Sequence, residues 1–219
     1  MARFEAVLFD FDGVIVDSTP VHLAGWAEAY WEFFRMKVEP EILESLVGQS
    51  TAAIGTLLSH RIGRPEMKGE LVRRKARYVL DHLPDIPMIA GAKDFMEKLR
   101  AKKIRYGIAS NAPRGFIESA LNKHGLWTDF FLGLEDYKFP KPDPEPYLIG
   151  AQRLGWTKSD RSSIAVFEDS AHGIHAAVGA GMTAIGVCSQ HPPVYLEDAG
   201  AKACIQDFRD HAFLDENFF

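Results

Sequence analysis

Four short apolar runs limit what this chain can fold into: residues 6–9, 104–109, 163–167 and 183–187, with helix-period segments between them. Each is too short for a helix and reads as a strand buried on both faces of a sheet. Weaker apolar stretches at 130–132 and 202–205 extend the series, the second as an edge strand. Between them, apolar residues recur every three or four positions. Phe95, Met96 and Leu99 share one face of 92–102, and Ile117, Ala120 and Leu121 one face of 115–124. Segments 144–154 and 172–180 complete the set. Strands alternating with helices predict an α/β fold: a doubly wound parallel sheet with helices on both faces.

The alternation stops between about 19 and 83. Segments 20–34, 40–47, 51–61 and 65–83 carry helical patterns, and no strand stands out among them. Pro20, Pro40 and Pro65 each suit a first helical turn. Pro84, Pro87 and Gly91 mark 85–91 as a return linker. The expected organisation is a Rossmann-like catalytic core, 1–17 with 88–219, interrupted after its first strand by an inserted helical cap domain, 18–87. A chain of 219 residues is long enough for both.

With 47% hydrophobic and 25% charged residues, the composition is that of a globular protein able to fill a core. No run is long enough to span a bilayer. A net charge of −5 argues against a nucleic-acid partner, which calls for a basic stripe. The run Arg73-Arg74-Lys75 reads as a solvated helix face. Cys188 and Cys204 have no Cys or His close by in sequence, which excludes a disulfide framework or a zinc pattern, and they read as small core residues. The N-terminus reads as lacking a secretory signal, because its apolar stretch is broken at once by Asp10 and Asp12. A reducing, cytoplasmic setting is expected. A monomer is compatible with the sequence, although nothing in it fixes the oligomeric state.

Ligands of a doubly wound sheet bind at the carboxyl ends of its strands. After 6–9 comes Asp10-Phe11-Asp12-Gly13; after 104–109, Ser110-Asn111; after 163–167, Glu168-Asp169-Ser170. Three sequence-distant strands thus deliver carboxylates and hydroxyls to one sheet edge. Asp10 and Asp12 point the same way if the chain is still extended, and Gly13 permits a tight turn. Asp169 or Ser170 also suits a helix N-cap. Two like charges 4 Å apart cost about 4 kcal/mol at an effective dielectric of about 20, so four clustered acids call for a divalent cation. Oxygen ligands without cysteine or histidine favour magnesium. Lys141, in a segment stiffened by Pro142, Pro144 and Pro146, and the hydroxyl of Ser110 suit phosphate oxygens.

Asp10-Phe11-Asp12-Gly13-Val14, then Ser110, then Lys141-Pro142, then Glu168-Asp169-Ser170 resemble the four ordered motifs of the haloacid dehalogenase-like hydrolase superfamily. The resemblance covers nearly the whole chain. The helical insertion, with Asp17-Ser18, His22 and Trp26, resembles the cap of the beta-phosphoglucomutase-like branch. The resemblance implies that magnesium is held by Asp10, Asp169 and the backbone carbonyl of Asp12, with Glu168 acting through water or as support. It implies that Asp10 becomes an aspartyl phosphate, that Asp12 serves as general acid and then general base, and that Ser110 and Lys141 stabilise charge on the transferring oxygens.

The second aspartate separates branches: dehalogenases and the phosphonate-cleaving enzymes lack it, so Asp12 points to a phosphate ester. Water as acceptor makes a phosphatase, a second sugar hydroxyl a mutase. Beta-phosphoglucomutases carry an arginine in the cap loop where this chain has Gly48-Gln49-Ser50-Thr51. They also carry Ser-x-Ser-Lys-Asn where it has Ser110-Asn111-Ala112-Pro113-Arg114. The expected activity is therefore a phosphatase acting on a small phosphorylated metabolite, a sugar or polyol phosphate. The mutase and a non-catalytic phosphate- and magnesium-binding regulator are the alternatives. The insertion and Asp12 count heavily against a receiver domain, and the lack of a Gly-rich turn after the first strand excludes a dinucleotide enzyme.

Candidate substrate-binding residues are Asn111, Arg114, His22, Gln49 and Ser50. For Arg114, a grip on substrate and an ordinary helix start both stay open. His22 suits a substrate contact or proton relay to Asp12, and equally a half-exposed helix position. Trp26 and Trp31 read as cap-core aromatics. Lys75 reads as surface, with a reach toward the site as the second reading.

Overall fold

A computed structural model describes residues 4–46 and 51–219. It divides into two compact units. One comprises the chain up to Asp17 together with Pro87–Phe219; the other is Ser18–Ile86.

The first unit holds a six-stranded sheet: β1 (Ala6–Phe9), β2 (Arg105–Ala109), β3 (Phe131–Leu132), β4 (Ile164–Glu168), β5 (Thr183–Val187) and β6 (Ala203–Ile205). All pairs are parallel and the spatial order is β3-β2-β1-β4-β5-β6. The order reverses between β1 and β4, which is where a doubly wound sheet opens a crevice for ligand. Register sets Phe9 beside Phe167, so Asp10 and Glu168 leave neighbouring strand ends.

The helical unit contains α1 (Thr19–Phe34), α2 (Pro40–Ser45), α3 (Thr51–Arg61) and α4 (Lys68–Asp81). Trp26, Ala29, Tyr30, Leu58 and Leu71 centre its apolar core. Gly25 on α1 lets α4 approach, since a Cβ there would lie 3.2 Å from the Tyr78 ring and 3.3 Å from the Lys75 carbonyl. The expected helix 65–83 is divided: Pro65–Met67 is a 3-10 turn, and α4 ends at Asp81. Trp31 is 42% exposed and lies outside the core expected for it. The basic run is not one solvated face. Arg73 pairs with Glu70, Arg74 with Glu28 and Glu32 on α1, and Lys75 is only 5% exposed.

Back in the sheet unit, α5 (Ala92–Ala101), α6 (Arg114–His124), α7 (Glu145–Arg153), α8 (Ala171–Gly179), α9 (Pro193–Asp198) and α10 (His211–Phe218) complete the fold. Strand parity sorts the two layers. Ala6, Leu8, Ile164 and Val166 pack with Tyr147, Ala151, Ile174, Ala177 and Leu196 from α7, α8 and α9. On the other face, Phe9 stacks on Phe167 at 5.4 Å between ring centres, and both meet Phe208. Phe95 from α5 touches Phe9 and Phe167, and Phe218 from α10 stacks on Phe167. Cys188 and Cys204 are half-buried and pack against the core at its β5–β6 side, where the Cys204 thiol donates to the Pro193 carbonyl at 3.8 Å. The chain leaving β1 is zipped to the returning chain: Asp17 N–H donates to the Pro87 carbonyl and Ile89 N–H to that of Ile15, each at 2.9 Å. Among the described residues, no helix is long and apolar enough to cross a membrane.

Candidate active site

Asp10 and Glu168 share the strand parity of Leu8 and Val166, so they emerge on the α7 face of the sheet. Lys141 approaches from that face just before α7. Its ammonium donates to Asp10 Oδ1 at 2.6 Å, to Glu168 Oε1 at 2.6 Å and to the Tyr147 hydroxyl at 2.7 Å. The Tyr147 hydroxyl in turn donates to Glu168 Oε1 at 2.6 Å. Ser170 donates to the other Glu168 oxygen at 3.2 Å, while its own Oγ accepts the Gly173 N–H at 3.1 Å and caps α8. Both expected roles of the Glu168-Asp169-Ser170 segment, acid cluster and helix cap, are therefore met in one turn. Asp10, Ser110, Lys141 and Glu168 are all buried.

Two glycines make room for the acids. A Cβ on Gly173 would stand 1.8 Å from the Glu168 carboxylate. At Gly13 it would stand 1.9 Å from Asp169 Oδ2, and the backbone there has φ +74°, a conformation that favours glycine. Ser189 holds this turn through a 2.6 Å bond to the Gly13 carbonyl.

The electrostatics follow from burial. Burial raises Asp10, and Lys141 only partly opposes it. Glu168 is raised for the same reason. Asp169 is pushed well above the carboxylate range by burial and then by the charges of Glu168, Asp10 and Asp12. Burial pulls Lys141 down, but Asp10 and Glu168 outweigh it and hold it above an ordinary lysine.

Asp10, Glu168 and Asp169 offer oxygens within 4.8 Å of one another. Both Glu168 oxygens already accept hydrogen bonds, which leaves Asp10 and Asp169 better placed for direct ligation. No donor is bonded to the Asp169 carboxylate among the described residues. An oxygen-only donor set with excess negative charge fits a hard divalent cation such as magnesium. The Asp12 side chain is not part of this trio, although its charge is felt by Asp10 and Asp169.

The Ser110 hydroxyl accepts the Ala112 N–H at 3.3 Å, and its dipole favours the ionised form of Asp10. Asn111, expected to meet substrate, instead clasps the Lys141 backbone. Its Oδ1 accepts the Lys141 N–H at 3.1 Å and its Nδ2 donates to the Lys141 carbonyl at 3.2 Å. Tyr137 braces the same loop, with its hydroxyl 2.6 Å from the Ser110 carbonyl and 2.9 Å from Asn111 Oδ1. Arg114 opens α6, and its guanidinium is bonded to Asp136 at 2.8 Å and lies over the Phe131 ring. Arg114 thus clamps the start of α6 to the β3 edge. Gln49 and Ser50 lie outside the described residues.

His22 belongs to the helical unit, where its Nδ1 lies 2.5 Å from Lys75 Nζ. The Lys75 ammonium also lies 5.7 Å from the Trp26 ring centre. Lys75 is thus an interior residue of the helical unit and not the surface lysine expected. Burial and then the Lys75 charge push His22 down to about 3, so its ring is neutral at physiological pH.

Sequence reasoning assigned no role to Tyr147, Tyr137 or Gly173. The signal for Tyr147 was its place six residues after Lys141 on the Pro-stiffened segment. For Gly173 it was a small residue one turn into the helix after the acid pair.

A family model described as haloacid dehalogenase-like hydrolase matches residues 7–187. The chain is similar to the validoxylamine A 7'-phosphate phosphatase of Streptomyces hygroscopicus subsp. limoneus, with 27% identity over 206 residues, 90% of this chain and 91% of that one. It is similar to the phosphorylated carbohydrates phosphatase of Thermotoga maritima, with 28% identity over 209 residues, 92% and 94% of the two chains. Its fold is that of a solved beta-phosphoglucomutase from Clostridium difficile, with a TM-score of 0.78 over 98% and 96% of the chains at 22% identity.

Proposed function

The chain belongs to the haloacid dehalogenase-like hydrolases, and on that premise we propose that it is a magnesium-dependent phosphatase hydrolysing a small sugar or polyol phosphate through an aspartyl phosphate on Asp10. The observation that carries this reading is the setting of Asp10. It is a buried carboxylate at the β1–β4 switch point, bonded by Lys141 and grouped with Glu168 and Asp169. The substrate class is supported by the similar proteins, whose names specify a phosphorylated carbohydrate and a phosphorylated validoxylamine.

Asp10 and Asp169 would hold the magnesium, with Glu168 supporting it from behind. Bound there, the cation supplies charge neutralisation that lets an anionic ester approach a carboxylate. A carboxylate oxygen of Asp10 attacks phosphorus, forming one P–O bond while the ester P–O bond breaks. Asp12 gives its proton to the departing alkoxide. Ser110 donates a hydrogen bond to a non-bridging oxygen, and the Lys141 charge, held beside Asp10, offsets the negative charge gathering there. Asp12, now ionised, takes a proton from water as the water attacks phosphorus. The bond to Asp10 then breaks, and inorganic phosphate leaves.

The test is phosphate release from a panel of small monoesters, with and without chelator, for the native protein and Asp10→Asn. Magnesium-dependent release is expected, with a loss of at least about 10³-fold in the variant. Interconversion of hexose 1- and 6-phosphates without release would replace the phosphatase by a mutase.

A further inference from the structure

We propose that Tyr147 is a positioning residue for phosphoryl transfer, its hydroxyl fixing the Lys141 ammonium between Asp10 and Glu168. This rests on the phosphatase reading above. An ammonium has three N–H donors, and Lys141 places all three: on Asp10 Oδ1, on Glu168 Oε1 and on the Tyr147 oxygen. Two of these acceptors are carboxylates. The phenol is the neutral third, and it closes a ring by donating to the same Glu168 oxygen that Lys141 bonds. Its ring adds a second hold, with the ammonium 4.5 Å from the centroid.

Tyr147 is itself immobilised. It is fully buried in the first turn of α7, and its N–H bonds the Pro144 carbonyl at 3.1 Å. One turn on, Gly150 lets α7 lie close to β1, since a Cβ there would meet Leu8 at 3.0 Å. A phenylalanine would fill the same apolar space, so the hydroxyl is what the core itself does not require. Without it, the third ammonium proton has only the two carboxylates to turn to. Lys141 then closes further onto Asp10, the group that must be free to attack, and Glu168 loses one of its three donors. Charge at the nucleophile, rather than substrate grip, is what changes.

The experiment uses the full-length protein and Tyr147→Phe, with 3-fluorotyrosine at 147 as a conservative replacement that keeps the hydroxyl. Steady-state kinetics, calorimetric titration with magnesium chloride and thermal unfolding are measured for each. Tyr147→Phe is expected to lower kcat by about 10- to 100-fold with KM within about twofold, and to weaken magnesium binding by about tenfold. The fluorotyrosine protein is expected to recover most of kcat. Unchanged kcat and magnesium affinity would overturn the inference, and so would a rise in KM at constant kcat. If Tyr147→Phe does not fold, 4-fluorophenylalanine at 147, which fills the space of the hydroxyl but cannot donate, takes its place: it must lower kcat and magnesium affinity in the same way, and native values overturn the proposal. If the native protein releases no phosphate, the phosphatase reading falls alone. Tyr147 is then judged by magnesium affinity, and equal affinity in the two proteins refutes its role.

Discussion

Beside Lys141 and Tyr147, residues with no acid–base chemistry of their own help to hold the acids of this site. Gly173 is the clearest case. Glu168 occupies the space where a side chain at 173 would begin, 1.8 Å from the ideal Cβ position. Neither group can give way easily: Gly173 lies in the first turn of α8, and Glu168 is fixed at both oxygens by Lys141, Tyr147 and Ser170. Gly173→Ala is therefore expected to cost about 1–3 kcal/mol of stability and to displace Glu168 from Lys141. Urea unfolding together with phosphate release checks this. A variant of native stability and native turnover would show that α8 shifts without disturbing the acid pair. Asn111 belongs to the same class. Its amide grips the Lys141 backbone from both sides and so fixes the lysine.

Elements differ in how legible they were, and burial explains the difference. The central strands read to within a residue at either end, because strands buried on both faces leave uninterrupted apolar runs. Helices α9 and α10 went unread: α9 buries only Leu196 and α10 only Leu214 and Phe218, too few to set a period. The signal for α10 was its cap, Asp210, whose side chain accepts the Phe213 N–H at 3.1 Å. In α4 the three basic residues look alike in sequence, yet successive helical positions are about 100° apart. One meets solvent, one the acids of α1, and Lys75 the interior. The acids and Lys141 were legible because each follows an apolar run or sits between prolines. The acceptor of Arg114, 22 positions away at Asp136, was not, because only β3 and its loop bring it near. The α1–α4 pair carries its own pH dependence. His22 is held down to about 3 when folded, against 6.5 for the free side chain. Below pH 6.5 the unfolded chain binds a proton that the folded helix pair refuses. Stability is thus full above 6.5 and falls as pH drops toward 3, by at most about 1.4 kcal/mol per pH unit. His22→Gln is expected to flatten the unfolding midpoint between pH 6.5 and 4. An unchanged slope would place the titrating group elsewhere.

At the scale of the whole molecule, the core unit has the opposite dependence on pH from the helical unit. Asp10, Glu168 and Asp169 are all raised in the folded protein. The folded state therefore holds protons that the unfolded chain has released, and the metal-free protein loses stability as pH rises above the ordinary carboxylate range. A divalent cation takes the place of those protons and reverses the loss. At a magnesium concentration 100 times its dissociation constant, binding contributes about 2.7 kcal/mol. For a chain of this size that is a rise in Tm of about 5–10 °C. The rise should be larger at pH 8 than at pH 6, since fewer protons must leave on binding. Asp169→Asn separates the two effects, because it removes both the carboxylate most strongly raised by burial and its like-charged neighbours, and a metal ligand. Without metal, the variant is expected to be at least as stable as the native protein at pH 8, since a repelled charge has gone. With magnesium, its Tm should hardly move. Equal magnesium shifts in the two proteins would mean that the cation binds away from Asp169, and the site built on the β1–β4 edge would have to be given up.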